Sequence, residues 1–172
     1  MGKENSEGQL GNGDSTPRNL PTMIEKLKNL KEMIKSVSCG FKHVICKTGL
    51  GKVFVWGSNA FGQLGLGHFL NELTPKLVIS EKLSPMKFKV NQVRAGFKSS
   101  MMLFDDGKVF WCGKTGAMER NGSFLQFDYK SKINVSVVIF YLFIQILEKS
   151  INFSFFQKFS NFLIKNCFFS RF

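Results

Sequence analysis

Short apolar runs, each closed by glycine, recur through residues 1–122. Val44-Ile45-Cys46 and Met101-Met102-Leu103-Phe104 lead into glycine turns at Gly49/Gly51 and Gly107. Val53-Phe54-Val55-Trp56 and Val109-Phe110-Trp111-Cys112 are β-branched or aromatic runs closed by Gly57 and Gly113. Runs of this length and composition predict β-strands, and Asp106-Gly107 between two of them predicts a tight hairpin. Because these runs are apolar at successive rather than alternate positions, both faces of their sheets need cover. Stacked blades of a propeller supply such cover. A different period appears at Ile24, Leu27, Leu30 and Ile34, after the capping-box spacing of Thr22-Met23-Ile24-Glu25. It predicts a short helix or ordered loop at a blade edge, with Lys26, Lys28, Lys31 and Lys35 as its solvated face.

The strand pattern repeats. Gly8-Gln9-Leu10-Gly11-Asn12-Gly13 overlays Gly62-Gln63-Leu64-Gly65-Leu66-Gly67 at a shift of 54. Cys39-Gly40-Phe41-Lys42 overlays Ala95-Gly96-Phe97-Lys98 at a shift of 56, as do Gly51-Lys52-Val53-Phe54 on Gly107-Lys108-Val109-Phe110 and Gly57 on Gly113. The drift of two residues reads as a loop insertion between Gly67 and Pro75. A period of about 50 residues means an array of supersecondary units. The glycines permit positive φ and close approach of neighbouring backbones, which accounts for a G-Q-L-G-x-G turn without a ligand.

The segments GSNAFGQLGLG (57–67), VSCGFKHVICKTGLGKVFVWGSN (37–59) and RAGFKSSMMLFDDGKVFWCG (94–113), with Trp56-Gly57-Ser58-Asn59, resemble repeats of the regulator of chromosome condensation family. The resemblance implies an all-β fold in which seven blades close a propeller. It spans about two repeats, one at about 8–57 and one at about 62–113. The expected fold is therefore an incomplete propeller over residues 1–122, followed by a non-propeller tail at 123–172. The expected repeat-motif residues are Gly8, Gln9, Leu10, Gly11, Gly13, Gly40, His43, Gly51, Trp56, Gly57, Asn59, Gly62, Gln63, Leu64, Gly65, Gly67, Gly96, Gly107 and Gly113. After Gly113 the pattern lapses, with Lys114-Thr115-Gly116-Ala117-Met118-Glu119-Arg120-Asn121-Gly122 where another G-Q-L-G-x-G is wanted. Upstream, Gly2-Lys3-Glu4-Asn5 resembles Gly57-Ser58-Asn59 without a preceding strand. The reading is a piece of a longer propeller whose first residue is an internal methionine.

Composition sets the tail apart. Of the 172 residues, 24 are Lys or Arg and 12 are Asp or Glu, giving a formal net charge of +12. All 16 glycines and all 4 prolines lie in residues 1–122, whereas residues 123–172 hold 12 of the 20 phenylalanines and only two acids, Asp128 and Glu148. The stretch 133–147, INVSVVIFYLFIQIL, is shorter than the roughly 20 apolar residues of a membrane helix. The phenylalanines of 151–165 give no single apolar face. Phe, Ile, Asn, Lys and Ser share A/T-rich codons, so the tail reads as translated non-coding sequence, with a membrane span at 133–147 as the alternative.

Candidate chemistry is sparse. Cys39, Cys46, Cys112 and Cys167 form no C-x-x-C pair, and only His43 and His68 could assist them, which argues against zinc. Cys39, Cys46 and Cys112 are expected to behave as small buried hydrophobes. The N-terminus lacks a signal-peptide core, so the N-x-S matches at Asn121, Asn134 and Asn152 read as coincidence and a reducing compartment as the default. Gly113-Lys114-Thr115 resembles the end of a phosphate-binding loop, but the required upstream glycine falls on Lys108 and the repeat already explains Gly113. Met1-Gly2-Lys3-Glu4-Asn5-Ser6 matches a myristoylation pattern, although the repeat also accounts for Gly2. His43 lacks an identifiable oriented partner and reads as a structural histidine bonded to a neighbouring turn. No catalytic set, cofactor site or metal cluster emerges.

These observations point to an intracellular, cytoplasmic or nuclear protein-interaction module without chemistry of its own. The founding member of the family is a guanine-nucleotide exchange factor for a small GTPase and binds chromatin. The resemblance therefore offers exchange as an alternative function, with a small GTPase and chromatin as partners, while Lys26, Lys28, Lys31 and Lys35 offer a basic patch for nucleic acid or acidic lipid. Membrane attachment through 133–147 is a second alternative. Many relatives use such repeats as scaffolds beside other catalytic modules.

Overall fold

The computed structural model describes residues 4–30, 32–79, 89–114 and 121–126. The expectations for Gly2, Lys31, Thr115 and the tail beyond Gln126, including 133–147 and Cys167, lie outside these residues. Eight strands follow one short helix: α1 (Glu25–Lys28), β1 (Ile34–Cys39), β2 (His43–Thr48), β3 (Val53–Gly57), β4 (Glu72–Ile79), β5 (Val90–Ala95), β6 (Ser99–Phe104), β7 (Val109–Gly113) and β8 (Asn121–Gln126). They form two four-stranded antiparallel sheets, ordered β1-β2-β3-β4 and β5-β6-β7-β8. Each is a meander of the kind that builds one propeller blade.

The registers of the two blades match. His43 pairs with Gly57 and Ser99 with Gly113, each at the closing end of the β2–β3 or β6–β7 ladder. At the opposite end, Thr48 N–H donates to the Lys52 carbonyl at 2.9 Å and Phe104 N–H to the Lys108 carbonyl at 2.9 Å. Gly51 and Gly107, at φ of 85° and 84°, turn the chain there. Gly107 follows Asp106 as the hairpin signal predicts. Asp106 Oδ1 accepts from the Lys108 amide at 3.1 Å, and the Lys108 side chain holds the Asp106 carboxyl below the usual carboxylate range.

The main core lies between the blades. Ile45, Val53 and Val55 from the first pack with Val90, Val93, Met102 and Phe104 from the second, and Leu64 joins them from the β3–β4 connection. Burying each such side chain contributes roughly 1.5–3 kcal/mol, so this layer outweighs any single hydrogen bond in the structure. The other face of the first blade carries a second cluster of Val44, Cys46, Phe54 and Trp56. Ile24, Leu27 and Leu30 cover it, together with Ile34 of β1.

The helix prediction is corrected in two respects. The covering segment lies on a blade face rather than at an edge, with Lys26 and Lys28 exposed. Its helix is a single turn that starts after Ile24, which has extended backbone, and no side chain caps it. Thr22 instead donates to the Leu20 carbonyl at 3.3 Å, so the capping box does not form.

Strand β8 brackets Gly122, so it runs across the boundary expected between repeats and tail. Its register with β7 pairs Trp111 with Leu125 and Gly113 with Asn121.

Two glycines test this architecture. Gly107 and Gly113 both hold positive φ, at 84° and 93°. A Cβ at Gly107 meets nothing within 4 Å, whereas one at Gly113 would strike the Lys98 carbonyl and the Ser99 backbone. In urea unfolding, Gly107→Ala should cost only backbone strain, about 1–2 kcal/mol. Gly113→Ala should cost about 3 kcal/mol or more, because backbone must move as well. Equal losses would contradict the close packing at the end of β7.

Candidate functional site

Of the residues singled out by the repeat, Gly51 and Gly107 turn the far ends of the hairpins, while the glycine turns, Gly40, His43, Gly57, Gly96 and Gly113 gather at the other end. The two G-Q-L-G-x-G turns share their main hydrogen bonds. Asn5 Oδ1 accepts from the Leu10 amide at 2.9 Å, and Asn59 Oδ1 from the Leu64 amide at 2.9 Å. Gln9 Oε1 accepts from the Glu7 amide at 3.0 Å, and Gln63 Oε1 from the Phe61 amide at 2.9 Å. Asn5 and Asn59 are buried at 1% and 0% exposure, so unsatisfied amide groups there would be costly. Their Nδ2 groups donate onward, Asn5 to the Asp14 and Thr16 carbonyls and Asn59 to the His68 carbonyl.

Each turn buckles onto the fourth strand of a blade. Gly13 N–H donates to the Leu73 carbonyl at 2.9 Å on β4, and Gly67 N–H to the Gly122 carbonyl at 2.8 Å on β8. Gly8, Gly11, Gly13, Gly62, Gly65 and Gly67 all hold positive φ. The requirement is sharpest at Gly62, whose added Cβ would meet the Asn121 and Gly122 backbone. Each turn also receives a donor from the third strand of its blade. Trp56 Nε1–H donates to the Gln9 carbonyl at 3.0 Å, and the Cys112 thiol donates to the Gln63 carbonyl at 3.3 Å. Trp56 and Cys112 are equivalent positions at the shift of 56, so two different side chains do one job.

His43 ties the blades together. Its ring is 1% exposed, and Nε2 lies 3.1 Å from the Ser99 carbonyl and 3.0 Å from Ser100 Oγ, at the start of β6. Ser100 Oγ donates its own proton to the Gln63 carbonyl at 2.7 Å. A carbonyl only accepts, and the serine proton is already committed, so Nε2 must carry the hydrogen and donate to both. The expected partner, a neighbouring turn, is thereby corrected to a strand of the next blade. Gly40 sits against this ring, where a Cβ would overlap the His43 imidazole and approach the Gly96 carbonyl. A second tie runs beside it, with the Ala95 amide donating to Ser38 Oγ at 2.9 Å.

Several participants were not singled out in the sequence. Asn5 was visible only as the counterpart of Asn59 at the shift of 54. Ser100 and Ser38 carry no signal, because a serine in a strand reads as ordinary surface. Gly113 closes β7 and Lys114 N–H donates to the Lys98 carbonyl at 2.8 Å, so the Gly-Lys pair serves a strand end. Among the described residues no three His, Cys, Asp or Glu side chains converge as a metal site.

Cysteine burial is uneven. Cys46 and Cys112 are buried, but Cys39 is exposed, which corrects the expectation of three buried thiols. Cys39 sits at an exposed position of β1, whose exposure alternates along the strand. Burial pushes the Cys46 thiol up to about 11 and raises Cys112 also. Both therefore remain protonated and unreactive at mildly alkaline pH. In a Cys167→Ser background at pH 8, a maleimide should modify Cys39 rapidly and reach the other two only on unfolding. Equal labelling rates at all three thiols would contradict the packing of both blade faces.

The regulator of chromosome condensation (RCC1) repeat matches residues 1–46 and 51–103, and a second description of the same repeat matches 34–63. The probable E3 ubiquitin-protein ligase HERC6 of Homo sapiens is 37% identical over 112 residues, covering 64% of this chain and 10% of that protein. The X-linked retinitis pigmentosa GTPase regulator of Homo sapiens is 38% identical over 109 residues, covering 63% of this chain and 10% of that protein. The chain thus spans 10% of the length of either relative. Among solved structures, Prp20p from Saccharomyces cerevisiae, described with its binding properties to Gsp1p and histones, matches with a TM-score of 0.66. Identity is 25%, over 77% of this chain and 34% of that one. With the paired turns, matching registers and buried histidine in place, these matches show that the chain belongs to the regulator of chromosome condensation repeat family.

Proposed function

We propose that the chain acts as a protein-interaction module and performs no chemistry of its own. The supporting observation is where its polar side chains are engaged. Asn5, Asn59, Gln63, His43 and Ser100 all bond to backbone or to one another within the framework. None is left aimed at a site where a substrate would sit, whereas the loops between β1 and β2 and between β5 and β6 project exposed Phe41 and Phe97. A rigid scaffold that spends its polar groups on itself and its exposed apolar groups on loops suits recognition. An intracellular location, cytoplasmic or nuclear, accompanies this reading.

Nucleotide exchange on a small GTPase is the second reading. It is favoured by the similarity to the human GTPase regulator and to Prp20p, which binds Gsp1p. The binding of Prp20p to histones favours chromatin as a further partner. Exchange requires differential stabilisation of a nucleotide-free GTPase, for which two blades offer few contacts.

Amine-reactive crosslinking of the full-length chain in cells should yield saturable adducts with discrete proteins that excess unlabelled chain competes away. Added to a small GTPase loaded with fluorescent GDP, the same chain should leave release at its intrinsic rate. Accelerated release would favour exchange. Recovery of the chain with lipid in high salt, without protein adducts, would favour membrane attachment instead.

A further inference from the structure

The loop end of the seam carries an aromatic and cationic ridge that the repeat framework does not use. Phe41 and Phe97 occupy equivalent positions in consecutive repeats, and their rings stack at 4.5 Å between centroids with an interplanar angle of 26°. Both are exposed, at 57% and 39%. Scattered exposed apolar residues are ordinary, but a stacked exposed pair spanning two repeats is not scattered. The Phe41 amide donates to the Phe97 carbonyl at 3.3 Å, which fixes the two loops to each other. From below, Gly40 N–H donates to the His43 carbonyl and Gly96 N–H to the Ser99 carbonyl, both at 2.8 Å. The rings are thus held on a rigid base, and a preordered anchor loses little entropy when it binds.

Lysines interleave with the rings. Lys98 Nζ lies 4.1 Å from the centroid of Phe61 and 5.6 Å from that of Phe97, and Lys42 Nζ lies 5.9 Å from that of Phe41. Lys42 is paired with Glu7 at 4.0 Å. Among the described residues no carboxylate pairs with Lys98, whose charge is met only by ring faces. Exposed apolar rings around an ammonium with no carboxylate form an incomplete arrangement, and a carboxylate would complete it.

We propose that this ridge of Phe41, Phe97, Phe61, Lys42 and Lys98 docks an acidic protein segment. A carboxylate of that segment meets Lys98, and an apolar neighbour covers the exposed part of Phe41. The inference rests on the interaction-module reading and names the chemistry of the partner. Single-stranded nucleic acid is the competing occupant, since bases stack on aromatic side chains beside basic ones. Here, however, the ring faces are engaged with each other and with the ammonium groups. That leaves less ring face for a base to stack on.

The test is fluorescence anisotropy on the full-length chain with a labelled peptide of alternating glutamate and leucine. An alternating lysine–leucine peptide and oligothymidylate serve as competing probes. The acidic peptide should bind most tightly. Lys98→Glu should weaken it about tenfold (about 1.4 kcal/mol), and Phe41→Ser, at an exposed loop position, should weaken it several-fold. Lys26→Glu makes the same change in net charge on α1 and should leave binding within about twofold. Equal weakening by Lys26→Glu and Lys98→Glu would assign the binding to bulk charge and overturn the proposal. Tighter binding of oligothymidylate would overturn it in favour of nucleic acid. Thermal unfolding of each variant checks that its fold is intact. If competed protein adducts persist unchanged in Lys98→Glu, the interaction-module reading stands and the ridge proposal alone fails. If the unsubstituted chain yields no competed adducts, the module reading itself fails.

Discussion

A β-sheet that is apolar on both faces must be sandwiched, and nearly every feature of this chain follows from meeting that demand. Strand β3 is buried along its whole length and β2 along nearly all of it. One face finds its cover in the next blade, through Val90, Val93, Met102 and Phe104. The other is covered by Ile24, Leu27 and Leu30. The hydrophobic layer between blades supplies the energy of association, but it is not directional. Direction comes from His43, which reaches across the seam to Ser99 and Ser100, and from Ser38, which accepts from Ala95.

The glycine turns interlock the blades. The connection from β3 to β4 leaves the first blade, lays residues 62–67 against β7 and β8 of the second, and returns to complete the first with β4. A sequence repeat and a structural blade are consequently out of phase. The repeat at 8–57 contributes three strands and the turn that buckles onto its own blade, while the fourth strand comes only after the next turn. Neither blade can be detached without breaking bonds in the other, which explains why Gln63 is the meeting point of donors from both Ser100 and Cys112.

How much of this was legible depended on burial. Residues 44–46, 53–56, 101–104 and 109–112 read as strands because interior strands demand apolar residues at consecutive positions. Strand β4 was obscured by Pro75, yet it is an edge strand, where a missing N–H is tolerated. Strand β8 was obscured because Asn121-Gly122 looked like the lapse of a pattern. Its partner β7 was in plain view, but pairing is a tertiary fact. The helix signal at 22–34 yields only the single turn of α1, since Ile24, Leu27 and Leu30 have helical spacing but are held by a blade face. Gly40, Gly57 and Gly113 were readable through repetition. The partner of His43 was not, because Ser99 and Ser100 acquire meaning only when two sheets are brought face to face.

Framework and surface divide the repeat between them. In the run Gly40-Phe41-Lys42-His43 the glycine and the histidine turn inward to the seam, while the phenylalanine and the lysine point to solvent. The propeller by itself assigns no activity. The account depends most on the claim that His43 and Ser100 act together across the seam, and a double-mutant cycle on unfolding free energy measures that directly. His43→Ala, Ser100→Ala and the pair should show a coupling of about 1 kcal/mol, because either single change removes the same bond. Additivity within about 0.3 kcal/mol would mean that the bond between His43 and Ser100 does not join the blades.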